Sequence, residues 1–215
     1  MKKTMIITSH GLEAIKVQFG DTILAFNPVS KDSKLKSQTF GSDVALVSLN
    51  HPDTNGVENA GRGDKQPFAI TGPGEYEVAG VFIKGFPTVS NYGGEQRINT
   101  VYSATLEGMN MLYLGALDSS ELAPEIAESI DTVDILFVPI GGEGVLSASD
   151  AYKLAVKFEP SVIIPIHHDG AGEKKALDTF VKESGNDKIK PVEKLTIKKK
   201  DLAEKQGEVV VIKQS

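Results

Sequence analysis

Short apolar runs separated by glycine, proline and polar turns dominate the first half of the chain, and this spacing predicts strands. The polar stretches at residues 29–42 and 88–97 predict loops, and the second of these contains two consecutive glycines. The first half is therefore expected to consist of hairpins. Its predicted strands are residues 4–8, 14–19, 21–26, 44–49, 68–71, 76–83, 99–105 and 111–114.

The second half changes to alternating helices and strands. Residues 133–138 and 162–166 are continuous apolar runs, which predict fully buried strands. Amphipathic stretches predict helices over residues 122–129 and 174–184, and Ser147 or Ser149 is expected to cap a third helix that ends at Phe158. Residues 195–197 and 208–212 predict closing strands. This order favours sheets covered by helices over a helical bundle.

Composition narrows the function classes. At 215 residues, the chain suits one large domain or two small ones, and the absence of cysteine excludes disulfides, thiolate ligands and cysteine nucleophiles. No run approaches the ~20 apolar residues of a membrane span, and the start lacks the apolar core of a signal peptide, so we expect a cytoplasmic protein. A net charge of −6 argues against nucleic acid as a partner. The oligomeric state is left open.

The four histidines lie at or just after predicted strand ends: His10, His51, His167 and His168. His51 and Asp53 follow the buried strand 44–49, and the carboxyl ends of strands are where α/β proteins present chemistry. Imidazole and carboxylate together suit zinc. The alternative interpretation is four surface histidines at the starts of loops.

A family resemblance rests on motifs that follow one another in order: Ser9-His10-Gly11, Asn27-Pro28, Ser48-Leu49-Asn50-His51-Pro52-Asp53-Thr54, Gly72-Pro73-Gly74-Glu75, Val138-Pro139-Ile140-Gly141-Gly142 and Ile164-Pro165-Ile166-His167. In these the chain resembles the metallo-β-lactamase superfamily, and within it the branch of L-ascorbate-6-phosphate lactonase-like proteins. The resemblance covers residues 5–169. It implies an α+β fold, a four-layer αββα sandwich of two mixed sheets flanked by helices, formed by a single domain over residues 1–215.

The resemblance also implies where metal ligands belong, and most of those positions hold other residues. One metal would be held at positions 49, 51 and 90, and the second at 53, 54 and 167, with a bridging carboxylate at 116. Ligating side chains remain at His51, Asp53 and His167, whereas the other positions hold Leu49, Thr54, Ser90 and Ala116. We therefore expect no tightly bound cofactor, and any zinc would use the three remaining ligands. We also expect His10, His51, Asp53, Ala116 and His167 to line one cleft.

Three functions follow from this pattern. The first is a non-catalytic or weakly active binding or scaffold protein that takes a small-molecule ligand. The second is a zinc-dependent hydrolase of an ester, lactone or phosphoester, in which Asp53 would orient or deprotonate the attacking water beside His51. The third is metal-free acid–base catalysis by His51 with Asp53, or by His167 with Asp169.

Overall fold

Two mixed β-sheets form the framework of the computed structural model, which describes residues 4–168, 172–186 and 188–215. The prediction for Asp169 lies outside these residues. The six strands of the first sheet are β1 (Met5–Ser9), β2 (Ile15–Phe19), β3 (Thr22–Phe26), β4 (Val44–Leu46), β5 (Phe68–Ile70) and β12 (Leu195–Ile197). Their order is β12-β1-β2-β3-β4-β5, with β3, β4 and β5 parallel to one another.

The second sheet has seven strands, ordered β13-β11-β10-β9-β8-β7-β6. Its strands β6 to β9 form antiparallel hairpins, and β9, β10, β11 and β13 are parallel. Their bounds are β6 (Gly74–Val78), β7 (Val81–Ser90), β8 (Arg97–Leu106), β9 (Met109–Tyr113), β10 (Ile135–Pro139), β11 (Val162–Ile166) and β13 (Glu208–Val209).

The main core lies between the two sheets, because alternate apolar residues of each strand point inward. Phe26 of β3 stacks on Tyr113 of β9, with 4.7 Å between the ring centroids. The buried hydroxyl of Tyr102 in β8 donates a 2.8 Å hydrogen bond to the carbonyl of Val47, which follows β4. The sheets are thus joined by aromatic packing and by hydrogen bonds from buried tyrosines.

The outer face of the second sheet is covered by two helices, α2 (Ala148–Lys157) and α3 (Ala176–Glu183), following α1 (Pro124–Ser129) in the chain. Ser147 is the N-cap of α2, since its side chain accepts a hydrogen bond from the Asp150 N–H. A shorter layer covers the first sheet, where Ala25 and Ala45 pack against Phe40 and Ala60. The remaining helical elements are α4 (Lys199–Leu202) and 3-10 turns at Val57–Ala60 and Tyr92–Gly94. The predicted α+β sandwich is confirmed.

Three local predictions differ from the structure in their bounds or connections. The single strand predicted over residues 76–83 is a hairpin of β6 and β7, turning at Ala79 and Gly80, which both have positive φ. The loop predicted over residues 88–97 is shorter than expected, because β7 extends to Ser90 and β8 begins at Arg97, which leaves residues 91–96 outside the strands. The helix predicted over residues 122–129 begins only at Pro124, and none of its own residues is buried.

None of the helices in the described parts of the chain is long and apolar enough to cross a membrane.

The topology brings several strand ends to one edge of the sandwich. Strands β1, β3 and β4 point the same way in the first sheet, as β9, β10 and β11 do in the second. The segments that follow these carboxyl ends supply Glu13, Asn27, His51, Ala116 and His167. Ligand sites of open α/β sheets form at such edges.

Candidate functional site

Tyr92 contacts both of the histidines that sequence reasoning selected as metal ligands, His51 and His167. Its ring makes edge contacts with His51 at a centroid distance of 5.1 Å and with His167 at 4.9 Å. The two imidazole centroids are therefore no more than about 10 Å apart, and the phenol ring is next to both. The Tyr92 hydroxyl donates a 2.7 Å hydrogen bond to Oδ2 of Asp53.

Asp53 is held by protein groups on both carboxylate oxygens. Its Oδ1 accepts a hydrogen bond from the hydroxyl of Ser33, and its Oδ2 accepts the bond from Tyr92. Nδ1 of His51 lies 3.5 Å from Oδ2 and also accepts a 3.2 Å hydrogen bond from the Asp53 N–H. The loop after β4 thus folds back on itself, and Asp53 has partners from three segments.

His167 is paired with a carboxylate that the sequence analysis did not select. Its Nδ1 lies 2.6 Å from Oε1 of Glu13, and both side chains are buried. The other carboxylate oxygen of Glu13 accepts a 2.6 Å bond from Nδ2 of Asn27. Ser48 completes the buried network, since its N–H donates to Asn27 Oδ1 and its hydroxyl accepts from Asn27 Nδ2. Because Nδ1 faces Glu13, the Nε2 atom is the one left to face other groups.

An apolar cluster occupies the centre of the site. Its members are Leu49, Tyr92, Ala116 and Val145, all buried. Leu49 and Ala116 stand at positions that the resemblance assigns to a metal-binding histidine and to the bridging carboxylate. A leucine or alanine side chain offers no lone pair, so this cluster contributes packing and no ligand.

The backbone around Tyr92 is fixed on both sides. The Tyr92 N–H donates to the Ser90 hydroxyl, and the Tyr92 carbonyl accepts a 3.0 Å bond from Nη1 of Arg97. The carboxylate of Asp118 accepts a 2.9 Å bond from the N–H of Asn91, the residue before Tyr92. Gly93 has φ of +77°, and a Cβ there would come within 2.9 Å of Nε2 of His51. The phenol is therefore held firmly in place.

The electrostatics keep the Tyr92 phenol protonated. Burial raises its pKa, and the hydrogen bond to Asp53 together with the negative charges of Asp53 and Glu13 raises it further. The hydroxyl acts as a donor at neutral pH, and the site has no phenolate.

The structure brings together four of the five residues expected in one cleft. His51, Asp53, Ala116 and His167 surround Tyr92. His10 has other neighbours: its ring stacks on Phe40 at 4.2 Å, and its Nδ1 bonds Oε1 of Gln38 at 2.7 Å. Burial lowers the pKa of His10; the bond to Gln38 opposes this effect, and the charge of Lys16 adds to it.

The residues present do not fit a two-metal centre. Both oxygens of Asp53 have hydrogen-bond donors, Nδ1 of His167 faces Glu13, and the phenol ring packs against both histidines. In the described parts of the chain, no three side chains of His, Cys, Asp or Glu are grouped so that they could hold a metal ion. Catalytic zinc ordinarily has three protein ligands and an open position.

Comparison with known proteins identifies the family. Residues 6–167 match the model of the β-lactamase superfamily domain, so the chain belongs to that superfamily. The fold is similar to that of a proposed Zn-dependent hydrolase of the metallo-β-lactamase superfamily from Thermotoga maritima. That protein is 27% identical with a TM-score of 0.74, over 97% of this chain and 98% of that one.

Two more distant structures share the fold. A proposed metal-dependent hydrolase from Parabacteroides distasonis has 18% identity and a TM-score of 0.62, over 86% of this chain and 91% of its own. A metallo hydrolase from Ignicoccus hospitalis has 18% identity and a TM-score of 0.63, over 91% and 99%.

Sequence reasoning missed Glu13 and Tyr92. Glu13 lies in the short link between the first two strands, and its partner His167 is 154 residues away. A single acidic residue among apolar neighbours was the available signal, since a buried carboxylate needs a partner. Tyr92 lies in a stretch that was predicted as a loop, where an isolated aromatic residue was the signal.

Proposed function

We propose that this protein is a non-catalytic or weakly active binding or scaffold member of the superfamily. In this proposal the space that metal ions occupy in metal-dependent relatives is filled by the Tyr92 side chain. The observation that carries it is the position of the phenol, in contact with both His51 and His167 and bonded to Asp53. The protein would keep its site folded through hydrogen bonds and packing, without a need for metal.

The residues around the phenol support the same proposal. Leu49, Ala116 and Val145 pack beside Tyr92, which gives the site an apolar centre where a hydrolase needs ligands and water. On the sequence grounds given above, the proposal includes four further points. The protein is a member of the lactonase-like branch, and residues 1–215 form a single domain. It is located in the cytoplasm and binds a small-molecule ligand.

The test is metal content and metal response. Protein purified without added zinc should contain well under one equivalent of metal by elemental analysis. Because zinc stabilises only by binding the folded state more tightly than the unfolded state, neither zinc nor EDTA should shift the melting temperature appreciably. A stoichiometric metal that survives dialysis, with a melting temperature that falls in chelator, would overturn the proposal.

The second candidate function is a zinc-dependent hydrolase that uses His51, Asp53 and His167. The buried Glu13–His167 pair favours it, because histidines that bind metals usually donate their second ring N–H to a carboxylate. The similarity to a proposed Zn-dependent hydrolase points the same way. Tyr92 would have to leave the space between the histidines. This candidate predicts that Tyr92→Ala binds zinc more tightly than the native protein does, with esterase or phosphodiesterase activity at saturating zinc.

A further inference from the structure

The outer edge of β5 is free, because β5 is the last strand of the first sheet and no strand of the described residues pairs with that edge. On the inner side, the Phe68 N–H donates a 2.9 Å bond to the Asp43 carbonyl, and the Ile70 carbonyl accepts a 2.8 Å bond from the Val47 N–H. Since successive residues of a strand direct their backbone groups to opposite sides, the N–H and C=O of Ala69 point away from the sheet. Ala69 is exposed, so both groups are accessible to a further strand.

A large apolar side chain is uncovered on the same edge. Phe68 is 53% exposed, although Ile70, two residues later on the same face of the strand, is buried in the core between the sheets. A single exposed apolar residue is ordinary on a protein surface. Here it flanks a free backbone edge, and the two features together favour the addition of a strand.

Charge distinguishes β5 from the other terminal strands of the two sheets. β12 is flanked by Lys194 and Lys198. β6 contains Glu75 and Glu77, and β13 begins with a glutamate. Charged residues on an edge strand oppose pairing with a second copy, because like charges would lie opposite each other. Residues 66–72, which include β5, contain no charged side chain, so two copies can meet along this edge without that repulsion.

We propose that the chain forms a homodimer by antiparallel pairing of β5 with β5 of a second copy. Such a pair is self-complementary, as an interface on a two-fold axis must be. When it is centred on Ala69, the N–H and C=O of this residue exchange hydrogen bonds with the same residue of the other copy. Phe68 of each copy then lies opposite Ile70 of the other, which covers part of the exposed ring. The dimer goes beyond the proposed binding function and does not depend on it.

The first test is sedimentation velocity of the full chain at protein concentrations from about 5 μM to about 500 μM, where we expect a monomer–dimer equilibrium. Phe68→Lys should raise the dissociation constant by at least about tenfold, since the apolar contact of both rings is lost. Phe82→Lys is the matched control, because Phe82 is 57% exposed on β7 of the other sheet, and it should associate as the native chain does. A native chain that stays monomeric throughout, or equal weakening by the two variants, would overturn the proposal.

A pair of variants at Ala69 tests the two-fold register. Ala69 pairs with Ala45, which lies on the face of the first sheet that points away from the main core, so a longer side chain at residue 69 stays in solvent. Ala69→Lys and Ala69→Glu each place like charges opposite each other in the dimer, and each alone should associate about fivefold more weakly than the native chain. An equimolar mixture brings opposite charges together, so it should associate more tightly than either variant alone.

A mixture that associates no better than its two components would overturn the pairing centred on Ala69. Metal content plays no part in either assay, so their failure would leave the proposal of a metal-independent protein intact.

Discussion

The hydroxyl of Tyr92 donates a 2.7 Å hydrogen bond to Oδ2 of Asp53, and these two residues lie in loops that extend from different sheets of the sandwich. Tyr92 lies between β7 and β8 of the second sheet, whereas Asp53 follows β4 of the first. One neutral donor thus joins the two halves of the site. In a metal-dependent hydrolase, ions bound by both sets of loops would make this connection.

The bond should make a measurable contribution to folding. We expect Tyr92→Phe to lower the free energy of unfolding by about 1.5–3 kcal/mol, because Asp53 keeps its charge and loses a donor. Urea denaturation measures this change. Tyr152→Phe is the matched control, since Tyr152 packs its ring on Phe180 and should cost less than about 0.5 kcal/mol. Equal decreases in unfolding free energy in the two variants would show that the Tyr92–Asp53 bond adds nothing measurable to stability.

The buried Glu13 carboxylate should contribute more to the free energy of unfolding than an exposed carboxylate does. Glu13→Ala leaves Nδ1 of His167 and one N–H of the Asn27 amide without an acceptor, and we expect the free energy of unfolding to fall by about 3–5 kcal/mol. Glu128→Ala, on the exposed surface of α1, should lie within about 0.5 kcal/mol of the native protein. The comparison uses chemical unfolding of both variants at one pH. A small loss at Glu13 would mean that the network relaxes around the missing carboxylate.

His10 predicts a pH dependence. Burial lowers its pKa in the folded state below the ordinary value of 6.5, so the unfolded chain binds more protons just below that value. The stabilising contribution of neutral His10 is therefore present above about pH 6.5 and is lost as the pH falls below it. We expect His10→Gln to show a shallower decline in unfolding free energy between about pH 7 and pH 5. Parallel profiles of the two proteins would contradict the assignment to His10.

Much of the framework could be predicted from local pattern. The fully apolar run at β11 predicted that strand with the correct ends, and the cap at Ser147 was one of two expected positions. Local pattern failed at Ala79, where a left-handed turn interrupts an apolar stretch that resembles one continuous strand. Polar residues at the end of β7 resembled a loop, yet Ser90 is buried and bonded to the Gly144 carbonyl.

The centre of the site could be predicted only in part. Motif order indicated His51, Asp53 and His167, because each follows a strand that ends at the same edge. Nothing local indicates that Tyr92 packs against both histidines, since these contacts are made with residues distant in the chain. Glu13 could not be predicted for the same reason, because its partner His167 is 154 residues away in the chain. The sequence places Leu49 and Ala116 where the resemblance implies ligands, and only the packed structure shows that Tyr92 contacts both histidines.

Gly93 offers a test of how tightly the site is packed around Tyr92. Both Gly93 and Gly63 have positive φ, so alanine at either position brings backbone strain of about 1–2 kcal/mol. At Gly93 the new methyl group would also meet Nε2 of His51 at 2.9 Å, whereas at Gly63 no atom lies within 4 Å among the described residues. We therefore expect Gly93→Ala to be the more destabilising variant and to shift the NMR signals of the His51 and Tyr92 side chains. Equal stability losses, with unchanged ring signals, would show that the loop yields easily and that the phenol is not held in place by its backbone.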